Sequence, residues 1–481
     1  VMNIAFIPID NRPVCYTLPE QICAIDSDIN LFMPKREFLG SLTKYADVEA
    51  IFDWLKKLPQ MDAIVMCLDT VAYGGLIPSR RCSDTFEKIK TRVENLKKIL
   101  ENKKAKIYAF SSIMRISNNN VNEEEKEYWS KWGKKIFEYS YQTHKLGTES
   151  CITNVIPSEI LDDYIATRKR NFEINKLYLE YQKQGLFNTL VFSKDDCAEY
   201  GFNVQEAKAL EKLGGFVKTG ADEIPLTLLA RAIMKKLKPV SEKETSRVGK
   251  TQCSHRDKCQ ETGIKIAPIF LVPECKDLIS NYEDVSIEKS VKGQIELAGC
   301  SVCEPDDADI LLYVNNFVDH QGEIVMKVPT QTFSGKWQKP SKPYMVADVR
   351  FANGADNAFV KQLFEVGFDE NFLGYSAWNT SANSLGSLIC GAIVFKGAKM
   401  QNNVGKDFYF GRDFLKLQTV RLLDDWAYQA NVRQQLTSPD EKLVKELMKP
   451  YEEKVFEVLG VNYDTSYKFP WNRLFEVEVC I

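Results

Sequence analysis

The chain has 481 residues, 44% hydrophobic and 11% aromatic, enough for more than one packed core and too apolar for a disordered protein. A formal net charge of −3 without a basic stripe excludes nucleic acid as the main partner, and no apolar run reaches the roughly 18 residues of a membrane span. The 13 cysteines are scattered without a small-domain framework, as expected of buried thiols in a reducing compartment.

No leader pattern opens the chain. It begins with a strand pattern at Asn3, so a cytoplasmic location is expected. Short apolar runs then end repeatedly in charged residues. Ile4–Ile9 ends in Asp10, Asn11 and Arg12. Ala63–Leu68 ends in Asp69, with Tyr73 soon after. Ile107–Met114 ends in Arg115. Thr189–Ser193 ends in Lys194, Asp195 and Asp196. Phe216–Thr219 ends in Gly220, Ala221, Asp222 and Glu223. Tyr344–Ala347 ends in Asp348. Helical patterns lie between them. Thr85–Leu100 carries Phe86, Ile89, Val93, Leu96 and Ile99 at helical spacing, and Glu123–Leu146 and Ser158–Gln184 read as longer helices.

Alternating strands and helices predict an α/β fold with a mainly parallel sheet. Strands starting near residues 4, 30, 63, 106, 189, 215, 344 and 372 are mostly spaced by roughly 25–45 residues, which suits a (β/α)₈ barrel; an open doubly wound sheet is the alternative. The expected organisation is a barrel-like unit over 1–237, completed by 341–400. A small α/β subdomain is inserted at 238–340, with its own signal in Ile266–Val272, Ile287–Leu297 and Ile310–Val314. Residues 401–481 form a helical region with a terminal strand.

In either architecture the carboxyl ends of parallel strands share one face, and that face holds the site. One pocket lined by carboxylates and arginines is therefore expected. Asp195 with Asp196, and Asp222 with Glu223, are the catalytic candidates; helix capping or bracing is the plainer role for each pair. Asp10, Arg12, Asp69, Tyr73, Arg115, Asp348, Asn353, Asp356, Trp378 and Asn379 are candidates for substrate binding. The arginines suit an anionic substrate group, or equally pairing with the neighbouring acids. Trp378 suits stacking on a sugar ring, or equally a buried core position.

Only three histidines occur, and none follows a core strand, so acid–base chemistry falls to carboxylates. Glycoside cleavage needs an acid and a base or nucleophile of this kind. The leading expectation is a glycosidase-like hydrolase acting on a small molecule or oligosaccharide. A metal-dependent hydrolase or isomerase, with Mg²⁺ or Mn²⁺ held by Asp10, Asp69, Asp348 and Asp356, is the second. A non-catalytic sugar- or polyol-binding protein is the third. No cofactor is predicted, because neither G-x-G-x-x-G nor G-x-x-x-x-G-K-[ST] occurs, although a divalent metal is possible. Cys253, Cys259, Cys300 and Cys303 have zinc-binding chemistry, but the first pair lies in a polar stretch far from the second.

The opening Pro8-Ile9-Asp10-Asn11-Arg12-Pro13-Val14 resembles the signature of a bacterial family catalogued as domain of unknown function 4127. Tyr73-Gly74-Gly75-Leu76 with Ser79-Arg80, Ile113-Met114-Arg115, Gly220-Ala221-Asp222-Glu223, Asn353-Gly354-Ala355-Asp356 and Trp378-Asn379-Thr380 agree with it. The resemblance spans nearly the whole chain and implies no activity. Asp222-Glu223 also resembles, over a few residues, the acid pair of retaining N-acetylhexosaminidases.

Overall fold

The computed structural model describes residues 1–149, 155–195, 197–234, 263–401 and 411–481. Strands β1 (Met2–Ile7), β2 (Ile29–Phe32), β3 (Ala63–Cys67), β4 (Lys106–Ile113), β5 (Thr189–Lys194) and β6 (Phe216–Thr219) form one parallel sheet. Its order is β2-β1-β3-β4-β5-β6. Successive side chains enter opposite cores: Ile4 and Phe6 one, Ala5 and Ile7 the other. Both faces are covered, which is why these strands read as unbroken apolar runs. Helices Val48–Lys57 and Phe86–Glu101 cover the Ala5 face, the second through Ile89, Val93, Leu96 and Ile99. Thr85 caps it, its hydroxyl accepting from the Lys88 amide.

The next strands are β7 (Lys265–Phe270), β8 (Ser301–Val302), β9 (Ile310–Asn315), β10 (Gly322–Glu323), β11 (Tyr344–Asp348), β12 (Phe351–Ala352) and β13 (Phe372–Ser376). Five of them form a second parallel sheet in the order β13-β11-β9-β7-β8, while β10 pairs with β12. Counted from its own first strand, this sheet repeats the order of the first. The second strand lies outside the first and the third lies beside it, the flavodoxin-type doubly wound arrangement.

This corrects the expected barrel. The pairings give two open sheets, in line with the doubly wound alternative. The described part of the expected insert, 263–340, does not stand apart either: β9 pairs with β11, so the second sheet crosses the expected boundary at 340 and 341. The boundary at 237 and 238 lies outside the described residues.

The two sheets share a core. Helix Ser381–Met400 is buried on nearly every side, as a helix apolar all round must be, and packs on helix Ile224–Ile233 of the first unit. Gly386 permits that approach, since a Cβ there would lie 2.5 Å from Cγ of Glu223. Beyond it come helix Arg412–Arg421, a π-helical run Leu422–Val432 and helix Glu441–Leu459. The π-helical run presents Asp425 to the Ala377 amide at 2.7 Å, pinning the end of β13. The chain closes with β14 (Ser466–Lys468) antiparallel to β15 (Glu478–Cys480). Glu478 accepts from Arg36 at 2.7 Å, bringing this tail back beside β1 and β2.

Candidate functional site

Both sheets point their carboxyl ends at one cavity of about 220 Å³. Arg12 reaches it from the loop after β1 and Arg80 from the segment after β3. In this strand order those two loops flank the topological switch point, where doubly wound sheets bind ligands. Arg115 follows β4, Lys194 ends β5 with Asp195 just after it, and Gly220 to Asp222 follow β6. From the second sheet come Tyr282 and Glu283 after β7 and Asn379, Thr380 and Asn383 after β13, and the β10–β12 pair adds Asn353 after β12.

The charges are arranged as pairs. Arg12, 5% exposed, donates to Asp222 at 2.6 and 3.2 Å and to Asp10 at 2.9 and 3.0 Å. Its guanidinium lies 5.1 Å from the ring centre of Trp471, whose indole N–H donates to Asn11 at 2.7 Å. The acids around Arg12 raise its pKa well above the ordinary value even though burial opposes this. Burial raises the Asp222 carboxyl against the pull of Arg12. A second set gathers Arg80, Arg115 and Arg473 around Glu124 and Glu125. Arg115 donates to Glu125 at 3.0 Å and Glu124 at 2.9 Å, and Arg473 donates to Glu124 at 2.7 Å. Burial opposes it, but these guanidiniums hold the Glu124 carboxyl well below the usual range. Asp195 faces Arg80 at 3.6 Å and Arg115 at 3.8 Å.

Glu283 is set differently. Its carboxyl accepts from the Ala382 amide at 2.8 Å and from the Ser290 hydroxyl, and among the described residues no cation pairs with it. Burial pushes it up to about 7, so it gives up and takes back its proton near neutrality. Asn383 adds a buried Oδ1 that has no hydrogen-bond partner among the described residues.

Three of the seven left-handed non-glycine positions among the described residues lie here as well. Tyr282 (φ 68°), Asn353 (φ 59°) and Asn379 (φ 58°) are left-handed non-glycine residues, and all three line the cavity. Such conformations cost roughly 1–3 kcal/mol each and persist where the surroundings over-determine them, as in ligand sites.

The structure thus brings Arg12, Arg115, Asp195, Asp222, Asn353 and Asn379 to the cavity wall. The other candidates stand behind it, as corrections to their expected contact with substrate. Asp10 braces Arg12. Asp69 is fully buried and accepts from the Ser112 amide, and Tyr73 stacks against Arg170. Glu223 accepts from the Ala221 amide and from Gln294 beneath the wall. Asp348 accepts from Asn315, Tyr375 and the Asp356 amide, while Asp356 caps helix Asn357–Val366. Trp378 is 2% exposed and packs edge-on to Phe475, a core position. Asp196, Cys253 and Cys259 lie outside the described residues. Asp10, Asp69, Asp348 and Asp356 do not gather as a metal would require: among the described residues no three acid, His or Cys side chains come together as ligands.

Glu124, Glu125, Glu283 and Arg473 carried no local signal. The run Glu123 to Glu125 has the look of a solvated first helical turn, but the helix starts at Trp129 and the acids lie in a loop.

No curated protein and no solved structure matches the chain. The family model described as "Protein of unknown function (DUF4127)" matches residues 4–480, essentially the whole length, so the chain belongs to that family.

Proposed function

We propose that the cleft is the active site of a carbohydrate-active hydrolase whose substrate is a sugar or short oligosaccharide held through its hydroxyls. The observation that carries this reading is the self-neutralised lining. Arg12, Arg80, Arg115 and Lys194 alternate with Glu124, Asp195, Asp222 and Glu283, giving many fixed donors and acceptors with little net charge. Hydroxyl groups, which both donate and accept, match such a surface better than an isolated anion or cation.

Two carboxyl groups in unlike settings supply the chemistry. Glu283, raised to about 7 by burial, serves as proton donor to the leaving oxygen. Asp195, facing two guanidiniums, serves as the ionised partner. Asp222 is committed to Arg12 and Glu223 sits behind the wall, so the pair is moved from these two residues to Glu283 and Asp195. A panel of aryl glycosides, N-acetylhexosaminides included, tests the proposal. Turnover that falls about 100-fold or more in both Asp195→Asn and Glu283→Gln supports it. The ion pairs that already satisfy most charged groups favour a second reading, non-catalytic binding of a sugar or polyol. Under it sugars raise the melting temperature and no glycoside is cleaved.

A further inference from the structure

A second cavity of about 190 Å³ adjoins the first, and Lys194, Thr219 and Ala382 line both. Its chemistry is different. Lys194, Lys218 and Lys289 line it, and Glu211 is the carboxylate on its wall. Lys194 is bound to Asp284, which also accepts from Thr219 at 2.7 Å, so that ammonium is fixed at the junction of the two chambers.

Lys218 has no such tie. Among the described residues its ammonium has neither a hydrogen-bond acceptor nor an ion-pair partner. It sits 5.2 Å from the ring centre of Phe216, and Glu296 acts on it only through its field. It rests against helix Ile287–Leu297 at Gly293, where a Cβ would come within 3.0 Å of Nζ. An ammonium with no acceptor on the protein, facing a chamber, is left to solvent and is placed to bond an anion that enters. Burial also lowers the Lys218 pKa, as expected of a cation lacking its counter-charge.

The geometry points to an anion subsite: the second chamber takes a phosphate or carboxylate group carried by the hydroxyl-rich molecule in the first. The substrate class is then a sugar phosphate or a sugar acid rather than a neutral sugar. This rests on the reading of the first chamber as a sugar site. Lys218 supplies the charge-assisted hydrogen bond, Lys289 adds field, and Lys194 marks the point where the two parts of the ligand join.

Melting temperature and titration calorimetry at a fixed salt concentration near 0.15 M test it. The probes are glucose, glucose 1-phosphate, glucose 6-phosphate, glucuronate and inorganic phosphate. The expected result is that at least one anionic sugar binds more tightly than glucose. Lys218→Met should weaken that sugar by about tenfold or more, the scale of a charge-assisted hydrogen bond, while leaving glucose within twofold. Gly293→Ala, which suits a helix but crowds Nζ, should weaken the same anionic sugar in a protein that melts normally. Phosphate esters and glucuronate distinguish the two anion sources. Equal affinity for glucose and all its anionic forms overturns the subsite and leaves the sugar site standing. So does anion preference that survives in Lys218→Met. If no sugar binds but inorganic phosphate raises the melting temperature through Lys218, the sugar reading fails and the anion subsite stands. If none of the probes binds, both fall.

Discussion

Glu223→Gln separates a buried structural acid from a catalytic one. The Glu223 carboxyl is 1% exposed and accepts from the Ala221 amide at 3.1 Å and from Gln294 at 2.9 Å. Burial first, then the nearby Asp222 and Glu283 charges, push it from 4.5 up to about 8. The sign follows from linkage. Below pH ~4.5 both folded and unfolded chains hold the proton, and between pH ~4.5 and ~8 only the folded chain does. The native state then binds more protons, so this group's contribution makes stability fall as pH rises through that window, then level off. At ~1.4 kcal/mol per pH unit, the fall is at most about 5 kcal/mol. Glutamine keeps the shape and cannot ionise. Its NH₂ must face one of the two donors, which costs about 1 kcal/mol at every pH. The variant should therefore be slightly less stable than the parent at pH 5 and more stable by a few kcal/mol at pH 9, with the curves crossing near pH ~5–6. Urea melts followed by tryptophan fluorescence across pH 5–9 measure this, and a gap that stays constant with pH refutes the buried-acid account. Because Glu223 is absent from the cavity wall, ligand affinity should change by no more than a few fold.

Arg12→Met should destabilise the protein by about 3–5 kcal/mol, because it strands Asp10 and Asp222 in the interior; thermal melts check this. Asp440→Ala should cost about 1 kcal/mol in the same assay, since Asp440 accepts from both the Lys442 and Leu443 amides at the start of helix Glu441–Leu459. If Glu283 donates the proton, kcat/KM should be high below pH ~7 and fall as pH rises through it, and the pH profile of Glu283→Gln should lose that limb.

The elements were legible in the sequence because their signals are local. Helix Phe86–Glu101 shows its apolar spacing, and β3, β4, β5 and β6 begin within a residue of their apolar runs. How the strands divide between sheets was not legible. The choice between β6 and β9 as a neighbour for β11 depends on packing between helices Ile224–Ile233 and Ser381–Met400, far apart in the chain. Strand-end residues found the cleft, since Arg12, Arg115, Asp195 and Asp222 all line it. Strand ends could not say which side chains face the cavity. Asp69 and Asp348 occupy equivalent positions yet turn into amide and hydroxyl donors behind the wall. Glu124 and Arg473 join the cluster from 349 residues apart, a pairing that no local pattern encodes.

The central claim is that the carboxyl ends of both sheets form one ligand site. A crystal structure of the protein soaked with the sugar that most raises its melting temperature tests it most directly. The account predicts density in the cavity between the sheets, within hydrogen-bond distance of Asp195 or Arg115 on one side and Glu283, Asn379 or Asn383 on the other. Density that touches residues of only one sheet, or that lies away from this cavity, would contradict it.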